Sequence, residues 1–296
     1  MIIRFFKFTK LPQLIVSSII SVATMINLKF NNLSWEDLYI SFLLVFIFLL
    51  SIFIISKNSI LKNNQYTTLG LIIFSGFFYK TEINFLTVLS YLFLLFSIRK
   101  IYSLKSHKKT NKKLFDAGFW FSISTILSPV NILFIISILF GTYILYKLNI
   151  KTILQFIMGY FSVVFIAALF FNLQLGSLNS LHLFDIVDSL ILQLQPCFNC
   201  PDFSFFNTSI LVITSLIFSV YLFQYFGSNR TERLKNTFLL LFLLNSILLI
   251  FLIEDYTIFL FFPFLVTLVR IISQTRKSIF LESVMILIVL LNSFPL

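Results

Sequence analysis

Residues 38–56 read "LYISFLLVFIFLLSIFIIS", nineteen positions without a charge, and no other feature constrains the chain more. A bilayer core is crossed by about 20 apolar residues, and a run of this length has few other uses. Comparable runs recur to the C-terminus. Charged residues make up 11% of the 296, against roughly a quarter in a soluble domain, and Phe alone contributes 41. The pattern predicts a polytopic membrane protein. Runs such as "LLLFLLNSILLIFLI" (239–253) lack the alternation that a lipid-facing strand requires, so the fold class is all-α, a transmembrane helix bundle.

Hydrophobicity marks spans at 11–30, 38–56, 66–79, 84–98, 114–128, 131–146, 152–172, 208–226, 237–253, 256–271 and 279–294, about 11 helices in a single integral membrane domain over 1–296. The spans at 66–98 and 114–146 are short enough to be either full crossings or re-entrant segments. With the N-terminus in the cytoplasm and the C-terminus outside, 20 of the 22 basic residues fall inside, and only Lys29 and Lys80 lie outside. Eight of the 11 acids take the outer side. The reverse orientation inverts this bias at every loop, against the positive-inside rule. The lead-in "MIIRFFKFTKLPQ" has no small-residue cleavage site after its apolar run, so the first helix is expected to be retained as a signal anchor.

The net charge of +11 is accounted for by these loops, and no nucleic-acid partner is expected. The richest of them, "RKIYSLKSHKKTNKK" (99–113), has seven basic residues and no acid. It is expected to set orientation and to touch anionic lipid. Asp116 is expected to cap the fifth helix and pair with the nearby lysines. Pro129 with Asn131, and Pro263, read as kinks. Gln155, Asn172, Asn245 and Asn292 read as hydrogen-bonding links between helices.

The largest external loop, 173–207, contains an amphipathic stretch (180–194) suited to an interfacial helix, followed by the only two cysteines, Cys197 and Cys200. A thioredoxin-type centre needs a strand leading into a helix, which this loop does not offer. A zinc site needs two further ligands, and only His182 is near. The pair reads as a local disulfide between Pro196 and Pro201 in an oxidising compartment.

The segments "MIIRFFKFTKLPQL", "SKNSILKNNQYTTL" (56–69), "SIRKIYSLKSHKKTNKKLFDAGFW" (97–120) and "FFPFLVTL" (261–268) together resemble a multi-pass inner-membrane family of Bacteroidetes, classed as a domain of unknown function. The resemblance implies a bacterial inner membrane facing a periplasm. It brings no catalytic residues with it.

Two acidic pairs face outward: Glu36–Asp37 in "NNLSWEDLY", and Glu254–Asp255 in "LIEDYTIF". Adjacent carboxylates can hold a divalent cation or take a proton from a hydroxyl. They also cap helices, whose first N–H groups are unpaired, and both pairs directly precede a helix. An acidic motif straight after the first helix is similar to the layout of membrane glycosyltransferases that use polyprenyl-phosphate sugars. The resemblance makes Glu36 and Asp37 the catalytic candidates, and Lys29 and Lys80 the candidates for the lipid phosphate. The first loop is much shorter than in those enzymes. Apart from the helix-end Arg270 and Glu282, no span has an ionisable residue near its middle, which disfavours an ion-coupled transporter. Three functions remain: a periplasm-facing transferase, a non-catalytic scaffold or assembly subunit of an envelope complex, and a lipid or small-molecule transporter.

Overall fold

The structure is a computed structural model that describes residues 10–28, 34–61, 84–147, 149–175, 230–252 and 254–274, with single helical positions at 67, 68, 70, 72, 219 and 222. Among these residues all regular structure is helical. In chain order the elements are α1 (Leu11–Leu28), α2 (Trp35–Lys57), α3 (Phe85–Ser103), α4 (Thr110–Leu127), α5 (Phe134–Leu145), α6 (Ile150–Leu175), α7 (Arg230–Leu252) and α8 (Phe261–Gln274). Short 3-10 turns at Leu104–Ser106, Pro129–Leu133 and Glu254–Leu260 lead into α4, α5 and α8. Three segments are long and apolar enough to cross a bilayer: Trp35–Lys57, Phe85–Ser106 and Ile150–Leu169.

These elements coincide with eight of the apolar runs, and their ends differ where charge misleads. Arg99 and Lys100 close the apolar run at 98, yet α3 continues to Ser103. Long basic side chains lie along a helix surface and leave the backbone ladder intact. Likewise α4 begins at Thr110, a full turn before the apolar run, so Asp116 lies in its second turn and does not cap it. Pro129 starts a 3-10 turn and holds Ser128 in an extended conformation (φ −145°, ψ 99°), which ends α4. Pro263 falls in the first turn of α8, directly after the 3-10 turn Glu254–Leu260, a position near a helix start that tolerates proline. The runs at 66–79 and 208–226 are helical at the few positions described, and 279–294 lies outside the described residues.

Burial differs from that of a water-soluble bundle on α1 and α2: small polar residues join the apolar core, and the outer face is apolar as well. On α1, Gln13, Ser17 and Ser21 face inward while Leu11, Ile15, Ile19 and Ile26 are exposed. On α2, Asp37, Ser41, Leu44, Phe48, Ser51 and Ile55 form the inner stripe, and Trp35, Tyr39, Phe42, Phe46, Leu49 and Phe53 the outer one. Small polar residues inside and large apolar ones outside is the arrangement expected where the solvent is hydrocarbon: small side chains allow close helix approach, and buried hydroxyls bond back to the helix. Ser51 Oγ donates to the Ile47 carbonyl at 2.8 Å and Ser17 Oγ to Leu14 at 2.9 Å, in that manner.

The chain divides into two compact units. The first takes its described residues from Met1–Val88, Ser209–Ser228 and Thr257–Leu296. In it α1 lies against α2, and Phe48 of α2 meets Phe261 of α8 edge-on at 6.4 Å. Every residue from Thr257 to Thr267 is buried.

The second unit takes its residues from Leu89–Thr208 and Asn229–Tyr256. Here α3 and α4 are pinned by two buried hydroxyls: Ser97 Oγ donates to the Ala117 carbonyl (2.9 Å) and Ser124 Oγ to the Ser90 carbonyl (2.8 Å). Trp120 stacks on Phe93 at 5.7 Å and lies 5.1 Å from Phe96. A Cβ on Gly118 of α4 would collide with the Phe156 carbonyl oxygen of α6, and one on Gly159 with the Phe115 carbonyl oxygen. Each glycine thus sits against the carbonyl three residues before the other glycine, and the backbones touch. Phe121 flanks this crossing, 5.9 Å from both Phe156 and Tyr160. A second pair is formed by α5 and α7. Asn245 Nδ2 donates to Ser137 Oγ (2.7 Å) and to the Leu133 carbonyl (3.2 Å), and Ser137 Oγ donates to the Leu241 carbonyl (3.2 Å). Phe134 and Phe242 pack beside them at 4.8 Å.

Candidate functional site

The acidic pair 36–37 begins α2, and the structure gives its two carboxylates different positions. Asp37 is buried, 9% exposed, and closes a capping box with Ser34. Its Oδ2 accepts from the Ser34 backbone N–H at 3.0 Å and from Ser34 Oγ at 2.7 Å, while the Asp37 N–H donates to Ser34 Oγ at 3.2 Å. Such a box satisfies helix donors that would otherwise be orphaned, and it places a negative charge at the positive end of the dipole. Glu36, one residue earlier, is exposed, between the exposed rings of Trp35 and Tyr39. The sequence "SWED" therefore supplies one structural carboxylate and one free to face outward. Glu254 and Asp255 open the 3-10 turn before α8. Lys29, Lys80, His182, Cys197, Cys200 and the stretch 180–194 lie outside the described residues. No group of three or more His, Cys, Asp or Glu residues placed to hold a metal occurs among the described residues.

Of the four amides read as interhelical links, Asn245 has that role, joining α7 to α5. The Gln155 Oε1 is buried without a partner among the described residues. Asn131 also links: its Nδ2 donates to Ser124 Oγ at 2.8 Å, extending the hydroxyl relay to Ser90. The side chain of Asn172 and the whole of Asn292 lie outside what is described.

The basic segment 99–113 forms a tight, internally bonded turn between α3 and α4. His107 and Lys109 adopt left-handed backbone conformations (φ 51° and 50°). Lys113 Nζ reaches back to the Ser103 carbonyl and Ser106 Oγ, both at 2.6 Å, placing a cation at the C-terminal end of α3, where the dipole favours it. Desolvation in this position, and then the neighbouring Lys100 ammonium, push the Lys113 pKa below its ordinary value. Lys100 pairs with Asp116 at 2.6 Å, as the sequence leads one to expect for that acid.

Sequence reasoning missed Gly118 and Gly159. The available signal was "AGFWFS", with Gly118 and Ser122 four apart in an apolar run, the spacing that lets two helices approach closely.

No known protein family, curated protein or solved structure matches the chain.

Proposed function

We propose that this chain is a multi-pass protein of a bacterial inner membrane, N-terminus inside and C-terminus outside with about eleven spans, working as a non-catalytic scaffold or assembly subunit of an envelope complex. The observation that carries this reading is the capping box: the Asp37 carboxylate, one of the two catalytic candidates, already takes two hydrogen bonds from Ser34. The buried hydroxyls and amides of the second unit likewise bond helix to helix. Charge asymmetry supports the orientation, and the three segments long and apolar enough to cross a bilayer support the membrane.

A periplasm-facing transferase using a polyprenyl-phosphate-linked sugar is the second reading. Exposed Glu36 favours it, as a base within reach of an acceptor hydroxyl. A divalent cation and the lysines Lys29 and Lys80 would serve the lipid phosphate in that case.

Gentle purification from the native membrane, with co-purifying lipids and proteins identified by mass spectrometry, separates the two. A stoichiometric protein partner that persists in Glu36→Gln is the expected result. Enrichment of a polyprenyl-phosphate sugar, with activity abolished by Glu36→Gln at unchanged protein level, would overturn the scaffold reading.

A further inference from the structure

Two basic loops that are distant in sequence meet at one end of the second unit. The His107 ring lies 5.5 Å from the ring of Tyr146, which brings the turn before α6 against the turn before α4. Six lysines are exposed on these turns: Lys105, Lys108, Lys109, Lys112, Lys147 and Lys151. The one acid between residues 89 and 175, Asp116, is already paired with Lys100. Neither α4 nor α6 has an acid in its first turn, and the remaining acid toward this end is Glu232 in the first turn of α7, one against six exposed lysines. Apolar side chains border them: Phe115, Tyr143, Ile150 and Leu154 are 40%, 62%, 80% and 52% exposed.

We propose that this end of the unit is a binding surface for the phosphate of anionic phospholipids. Cations alone would suit any anion. Cations ringed by exposed apolar and aromatic side chains suit a headgroup with acyl chains attached, since basic residues beside apolar surface attract acidic lipid. The bonded turn matters here: Lys113 and the two left-handed residues hold the loop closed, so the exposed lysines are presented without ordering a loose segment. The inference rests on the membrane location proposed above.

The full chain, purified in a non-ionic detergent, is titrated with phosphatidylglycerol or phosphatidylcholine, and bound lipid is counted by native mass spectrometry. Phosphatidylglycerol is expected to be retained about ten-fold better, with the preference declining as NaCl rises. The combined variant Lys105→Gln, Lys108→Gln, Lys109→Gln, Lys112→Gln should lose most of that preference. Lys10→Gln with Lys57→Gln, which neutralises exposed lysines of the other unit, should keep it. If the quadruple variant does not accumulate, the Lys→Arg set and the salt titration of the unaltered protein carry the test. Equal retention of both lipids, or a preference indifferent to salt or to the four substitutions, overturns the proposal. Displacement of the lipid by inorganic phosphate would make this a free-anion site, and release of an acidic protein by the substitutions would make it a protein interface; either overturns the lipid assignment. Retention of no lipid at all would instead count against the membrane reading itself.

Discussion

Asp37 and Lys113 show how single charged side chains are accommodated at the ends of apolar helices, and each leads to a prediction. Removing the box at Ser34 or Asp37 by substitution with Ala leaves a helix N–H unpaired and should destabilise the protein by about 1 kcal/mol, whereas Glu36→Gln should leave stability unchanged. Thermal unfolding in detergent measures both, and an Asp37→Ala variant as stable as the parent would refute the structural role. For Lys113 the direction follows from linkage. Its folded-state pKa lies below the 10.5 of a free lysine, so between those two values the unfolded chain holds a proton that the folded chain has released. The stability contribution of this group therefore rises with pH across that window, and the neutral amine can still donate to the Ser103 carbonyl. Carbon shifts of labelled lysines, assigned with Lys113→Arg, should place its midpoint under 10.5; a midpoint at or above that value rejects the account.

Among the described elements, α4 and α6 meet backbone against backbone at Gly118 and Gly159. An added methyl at Gly118 or Gly159 meets backbone carbonyl, which cannot rotate away as a side chain would. Gly118→Ala and Gly159→Ala should therefore each separate the helices and cost on the order of 1–3 kcal/mol, the range for overpacking. Gly141→Ala is expected to be milder, because its nearest neighbour at 2.6 Å is a Phe238 ring atom. A cysteine cross-link placed across α4 and α6 reads this directly, and equal cross-linking in the glycine variants would show that the contact tolerates a side chain. The helices themselves were legible in the sequence because most of the apolar runs are closed by turns with charged residues, Pro or Asn. The crossing was not, because it depends on two segments about forty residues apart facing each other, which no local pattern reports. The hydroxyl links from Ser97 and Ser124 were hidden for the same reason: their acceptors are backbone carbonyls, which have no sequence signature.

For the whole molecule, charge asymmetry makes the sharpest claim. In a background with Cys197 and Cys200 replaced by Ser, a cysteine at Glu36 should react with an impermeant maleimide in intact spheroplasts. Cysteines at Lys57, Lys108 and Lys147 should react only after permeabilisation. Labelling of Lys108→Cys and Glu36→Cys from the same side would overturn the proposed orientation. Of the candidate site, the sequence made Glu36 and Asp37 visible as a pair. It left open that only one of them is engaged with Ser34, since the register of a capping box depends on where the helix starts.

The glycine crossing also bears on how the protein is made. With Lys112, Lys113 and Asp116 in its first two turns, α4 is not among the segments apolar enough to cross a bilayer unaided, and it is held between α3 and α6. During synthesis α3 emerges first, and α4 can pack on it through Ser97 and Ser124 before α6 is made. The Gly118–Gly159 contact waits until α6 has left the ribosome. Until then Gly118 lacks the backbone against which it packs in the finished structure.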